Sequence, residues 1–155
     1  MSYTKFSRAT DRIAGLAWSM HSQFRDYIAR LPDGAVSALD GAELLDTGEA
    51  FFPLDPQHTT DQKLCFTGTL QFSGHRGMLA VTVRQPWLEV VEETPVMTIV
   101  DPFDRYLRME LVAVEMDADG RGETRLTEAG TDLFMGNYRA DIAFDPVRIV
   151  WPGKE

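Results

Sequence analysis

Apolar residues recur at three- and four-residue steps early in the chain: Leu16, Met20, Phe24, Tyr27, Ile28 and Leu31. Positions so spaced share one face of an α-helix, so the stretch WSMHSQFRDYIARL, residues 18–31, is predicted to be a short amphipathic helix. Pro32-Asp33-Gly34 stops it. The period then changes to two. In residues 65–72, Phe66, Leu70 and Phe72 fall on one face and Thr67, Thr69 and Gln71 on the other. Ser73-Gly74-His75-Arg76-Gly77 reads as a turn and residues 78–83 as the returning strand of a hairpin. Further strands are predicted at 87–91, 96–100, 106–116, 140–144 and 147–151, with a turn at Asp117-Ala118-Asp119-Gly120. Thr127-Glu128-Ala129-Gly130 is suited to cap a short second helix ending near Phe134.

These elements predict a mainly β (α+β) fold: one antiparallel, β-rich domain with an N-terminal amphipathic helix and a short second helix packed on the sheets. Residues 1–14 are expected to form a flexible arm and residues 15–151 the domain. A length of 155 residues suits one domain with a sizeable core. No apolar run is long enough to cross a bilayer, and MSYTKFSRATDRIAG has no apolar core of a signal peptide, so the expected location is cytoplasmic, without membrane insertion. The formal net charge of −9 argues against nucleic acid and anionic membranes as partners, since both select basic surfaces. The single cysteine, Cys65, allows no intramolecular disulfide or thiolate zinc site, and its place in a strand-like run suggests a buried, inert thiol.

No phosphate-binding loop, dinucleotide fingerprint, HExxH or GxSxG motif is present. His21, His58 and His75 are too dispersed for their spacing to suggest a metal site. Glu92-Glu93 and Asp101…Asp104 read as loop charges. Two features could carry chemistry. Tyr27 is a phenol on an otherwise apolar helix face. It is either a core tyrosine with a satisfied hydroxyl or a phenolate ligand; phenolate is a hard anion that suits ferric iron, and tyrosine is a recognised axial ligand of haem. The glycine-framed turn carrying His75 is either an exposed turn or a device that holds an imidazole at a pocket mouth, where it would hydrogen-bond to a ligating oxygen. Arg25 and Arg76 are suited to anionic groups on a ligand. His21, off the centre of the apolar stripe, is expected to be solvated or partly covered, and His58 to be an exposed loop residue. Tyr138 lies between the second helix and the next strand, where it packs or lines the same pocket.

Three ordered segments resemble the HtaA domain, the haem-binding module of actinobacterial haem-uptake proteins. The first is Gly15-Leu16-Ala17-Trp18 with Ser22-Gln23-Phe24-Arg25-Asp26-Tyr27-Ile28. The second runs from Phe66-Thr67-Gly68 to Gly74-His75-Arg76-Gly77. The third comprises Leu126-Thr127-Glu128-Ala129-Gly130, Gly136-Asn137-Tyr138 and Asp145-Pro146-Val147. The resemblance implies ferric haem (haem b) as cofactor, with Tyr27 as the iron ligand, His75 supporting it by a hydrogen bond, and Tyr138 contributing to the site. Phe24, Ile28 and Met20 would supply part of the wall. It further implies a non-enzymatic role in haem carriage, buffering or transfer, with haem donor or acceptor proteins as partners; monomer and homodimer both remain open. Two alternatives stay beside it. One is a peroxidase- or catalase-like or haem-processing enzyme, in which His21 or His58 would have to reach an open haem face. The other is a pocket for a different apolar small molecule or a protein partner.

Overall fold

In the computed structural model, which describes residues 13–152, strands dominate, as the two-residue period predicts. In chain order they are β1 (Gly15–Trp18), then helix α1 (Ser22–Arg30), β2 (Ala35–Leu39), β3 (Glu43–Leu44), β4 (Ala50–Pro53), β5 (Lys63–Cys65) and β6 (Thr69–Gly74). After a 3-10 turn at His75–Gly77 come β7 (Leu79–Arg84), β8 (Trp87–Val91), β9 (Thr94–Val100), β10 (Arg108–Met116) and β11 (Arg121–Leu126). A second 3-10 turn, Ala129–Phe134, precedes β12 (Ala143–Val150).

Nine strands form one sheet in the order β3-β4-β1-β12-β11-β10-β9-β8-β5, and its pairings are antiparallel. A Leu54–Phe66 bridge and the Asp55 N–H donated to the Cys65 carbonyl at 2.7 Å bring the end of β4 against β5, so the sheet curls back on itself. A second sheet, β2-β6-β7, carries α1 on its flank. Between these layers lies an aromatic core that includes Trp18, Phe24, Phe52, Phe66, Phe72 and Phe134.

The helix begins four residues later than its apolar period suggests. Gly15–Trp18 is a wholly buried strand between β4 and β12. A strand buried on both faces reads as a continuous apolar run, and the run here matched the helical spacing of the real helix beyond it. Met20, in the left-handed region at φ 63°, turns the chain between the two elements. His21 then starts α1, its carbonyl accepting the Arg25 N–H at 3.0 Å.

The predicted strand 65–72 is two strands in different sheets, separated at Gly68. There φ is 109°, and a Cβ would press on Ala42 at 2.7 Å. The two strands expected at 140–144 and 147–151 merge into one, β12 (Ala143–Val150), whose register shift opposite β11 accommodates Pro146. The second helix is a 3-10 turn, capped as expected: the Thr127 hydroxyl accepts the Gly130 N–H at 2.8 Å. Strands β2, β3, β4 and β11 were not anticipated. Ile13 is buried, and Ala14 pairs with Val150 and Leu54, so the folded body starts before residue 15; residues 1–12 of the expected arm lie outside the described residues.

Cys65 is buried in β5, and desolvation pushes its thiol up to about 11, which keeps it neutral and unreactive. Glu92 and Glu93 form the tight turn between β8 and β9 at φ 49° and 67°. Asp101 and Asp104 bind backbone N–H groups of the following turn. Both carboxylate pairs are loop structure. Among the described residues no helix is long and apolar enough to cross a membrane.

Candidate functional site

One face of α1 and the inner face of β7 enclose one end of a cavity of about 300 Å³. Phe24 and Tyr27 come from the helix, Leu79 and Val81 from β7, and Phe134, Met135, Asn137 and Tyr138 from the second 3-10 turn and its exit. Phe24, Phe134 and Tyr138 meet edge to face, with ring centroids 5.3–6.5 Å apart. The walls are therefore apolar and rigid, and the polar groups that enter are two phenols and one amide.

Tyr27 is not a core tyrosine. It sits three residues before the end of α1 and is 37% exposed, at the rim of the cavity. Its hydroxyl oxygen lies 2.6 Å from His75 Nε2. The imidazole can accept the phenol proton, or donate Nε2–H to the phenolate once that proton has gone. Either way it favours a polarised phenol oxygen facing an apolar space. The second phenol, Tyr138, is pushed up in pKa by burial and then by Tyr27, so it keeps its proton more firmly. The two phenols thus differ in setting: one is hydrogen-bonded and accessible, the other half-buried among aromatic rings.

The other sequence candidates divide. Phe24 lines the cavity. Met20 and Ile28 are buried at 0% and 1% exposure and belong to the core behind the wall. Arg25 is turned to Asp145, 3.8 Å from its carboxylate, and against Gly48, so it does not line the cavity. Arg76 is exposed and shares the turn with His75. His58 is the exposed loop residue expected, hydrogen-bonded to Asp55 at 2.7 Å and remote from the cavity lining.

His21 departs from expectation. It is buried at 7% exposure, stacked on Phe144 at 4.4 Å and set edge-on to Tyr138 at 5.0 Å. The strand before it carries it inward, which a helix running from residue 18 would not have done. Leu79 and Val81 were legible as the inward positions of a strand, whereas Met135 and Asn137, on an irregular exit, carry no periodic signal.

The buried Nε2 of His21 has no hydrogen-bond partner among the described residues. Burial lowers its pKa from the ordinary value of 6.5, and the nearby Asp145 carboxylate offsets part of that. Below pH 6.5 the unfolded chain takes up a proton that the folded chain resists. This contribution to stability is therefore intact above 6.5 and declines as the pH falls toward the depressed folded value. His21→Phe should flatten that decline: the urea midpoint should fall less between about pH 7.5 and about pH 5.5 than in the native chain. Equal declines in both proteins would show that His21 is not the responsible group.

Fold and site together define a mainly antiparallel β domain in which one helix and a hairpin turn present a phenol–imidazole pair at an apolar cavity. The HtaA family model, described as Htaa, matches residues 14–150, and the chain belongs to that family. Three solved structures from Corynebacterium glutamicum share the fold. The N-terminal domain of HtaA is 22% identical with a TM-score of 0.72, covering 88% of this chain and 96% of that one. The haem-binding protein HtaB is 17% identical with a TM-score of 0.70, covering 89% and 91%. The C-terminal domain of HtaA is 17% identical with a TM-score of 0.69, covering 89% and 96%. None of the curated proteins matches the chain in sequence.

Proposed function

We propose that this chain binds ferric haem b, with the Tyr27 phenolate as axial ligand, His75 as the hydrogen-bond partner of that oxygen, and Tyr138 in the cavity wall. The observation that carries the reading is the 2.6 Å contact between Tyr27 Oη and His75 Nε2 at the rim of an apolar cavity. The donor set fits the group. Ferric iron takes a hard anionic oxygen, the macrocycle takes aromatic and aliphatic walls, and the imidazole stabilises the deprotonated phenol. HtaB, a haem-binding protein that shares the fold, supports the same class of ligand.

Bound haem would supply a ferric centre and a flat apolar surface. The chain's own residues do the rest: Phe24, Leu79, Val81 and Phe134 exclude water, Tyr27 holds the oxygen, and His75 holds or shares its proton. Neither His21 nor His58, the two acid–base candidates for a peroxidase-like enzyme, is among the side chains lining the cavity. The role that the proposed ligation would serve is haem carriage, buffering or transfer, by a monomer or a homodimer. Titrating the purified protein with haemin should give a saturable one-to-one Soret change. Absence of saturation, with an apolar dye binding the same protein, would favour a different apolar ligand.

A further inference from the structure

The His75 turn carries two hydrogen bonds that its hairpin does not supply. β6 and β7 close on their own ladder, which runs from Thr69–Arg84 to Gly74–Leu79. The loop is completed by the Met78 N–H donated to the His75 carbonyl at 3.0 Å. His75 and Arg76 both lie in the left-handed region, at φ 51° and 57°, followed by Gly77 at 87°. Tight hairpin turns take consecutive residues at positive φ, as Glu92 and Glu93 do between β8 and β9.

What sets the His75 turn apart is a group from outside the hairpin. The Asp33 carboxylate accepts the His75 N–H at 3.1 Å on one oxygen and the Arg76 N–H at 2.6 Å on the other. These bonds hold that carboxyl below its usual pKa. Asp33 is itself fixed to the end of α1. The Leu31 N–H is donated to Ile28 and the Gly34 N–H to Leu31, at 3.1 and 3.2 Å. A Cβ on Gly34 would run into the Ile28 carbonyl, so the chain passes tightly over the helix end. On the hairpin side, a Cβ on Gly74 would press on Leu31 at 2.5 Å. Two residues after Asp33, Ala35 enters the ladder opposite Ser73.

We infer that Asp33 is a positioning residue: its carboxylate fastens the His75 turn to the C-terminal end of α1 and thereby aims His75 Nε2 at Tyr27 Oη. Tyr27 and Asp33 lie six residues apart on one rigid segment, while His75 is 48 residues away from Tyr27. The β2–β6 ladder already joins that hairpin to the segment, and the carboxylate adds a hold on its tip, where His75 sits. This rests on the Tyr27–His75 pair being the functional one, but the geometry can be tested without haem.

The test uses the full apo chain with 15N-labelled histidine rings and 13Cζ-labelled tyrosine, comparing the native protein with Asp33→Ala and Asp33→Asn by NMR. The native spectrum should show hydrogen-bonded His75 Nε2 and Tyr27 Cζ resonances, each altered by substituting the other residue. In a folded Asp33→Ala protein both should move to free-side-chain values, and Asp33→Asn, which keeps one acceptor oxygen, should lie between. Native resonances in both variants would overturn the inference. In the haem-loaded protein, Asp33→Ala should speed haemin loss to an apo-globin acceptor, by no more than the about 10-fold that removing the ligand's own partner, His75, would cause. It should add nothing in a His75→Ala background. Equal acceleration in both backgrounds would overturn it, because Asp33 would then act on the fold and not through His75. A chain that binds no haemin would remove the haem reading and leave the NMR comparison decisive for the clamp.

Discussion

Tyr27→Phe is expected to weaken haemin binding by about 100-fold or more, since removing an outer partner of a ligand already costs 10- to 100-fold and this change removes the ligand itself. At that size the loss is about 2.7 kcal/mol. The visible bands of a phenolate–iron pair should vanish with it. The substitution is chosen because it deletes one oxygen and keeps the ring. Tyr27 is 37% exposed and its hydroxyl bonds to His75, so the fold should lose less than about 1 kcal/mol. A large loss of affinity with an unchanged urea midpoint therefore isolates ligation from stability. His75→Ala should weaken binding by about 10-fold and leave the bands shifted but present, as befits a partner of the ligand. Unchanged affinity and bands in Tyr27→Phe would place the donor elsewhere. Tyr138, the other phenol of the cavity, would then be the next residue to substitute.

What could be read in the chain beforehand follows from how strongly each position is constrained from one side only. The β6–β7 hairpin was legible because one face is buried and the other is not: Leu70, Phe72, Leu79, Val81 and Val83 alternate with exposed or half-exposed residues such as Gln71 and Ala80. The end of α1 was legible in Pro32-Asp33-Gly34. β11 was missed because its inward positions are Gly122, Thr124 and Leu126, of which only the last reads as apolar. Gly122 has no room for a side chain against Met116, Val114 and Val147, and the Thr124 hydroxyl is used on the Asp145 carbonyl. β2, at the edge of the smaller sheet and largely exposed, has no buried stripe to announce it.

The site shows the same division. Tyr27, His75 and Tyr138 were picked out individually, but nothing in the spacing of residues 27 and 75 says that they touch; the resemblance alone suggested it. Asp33 read as a helix stop, because a carboxylate's backbone partners 42 and 43 residues away leave no local pattern.

Trp18→Ala should be the most destabilising of these substitutions, at about 3–5 kcal/mol, the usual range for emptying a buried aromatic site. The ring is fully buried in β1, between Val147 on one neighbouring strand and Ala50 on the other. Its Nε1–H is donated to the Asp145 carbonyl at 2.6 Å. That carbonyl also accepts the Thr124 hydroxyl at 2.8 Å, so it stays satisfied when the indole is gone. The expected loss is therefore chiefly that of packing. With a urea slope of about 2 kcal/mol/M the midpoint should fall by about 2 M.

Asp145 makes the consequence reach further than the core. Its N–H is donated to the Met20 carbonyl at 2.8 Å, its carboxylate accepts the Ser19 hydroxyl at 2.7 Å, and Arg25 lies 3.8 Å away. The strand-to-helix turn that launches α1 toward the cavity thus hangs on the residue Trp18 is bonded to. Trp18→Phe, which refills most of the space but cannot donate, should recover more than half of the lost stability if packing dominates. Recovery of less than a quarter would instead assign the larger share to the indole N–H. The anchoring of α1, and with it the position of Tyr27, would then depend on one hydrogen bond more than on the ring that carries it.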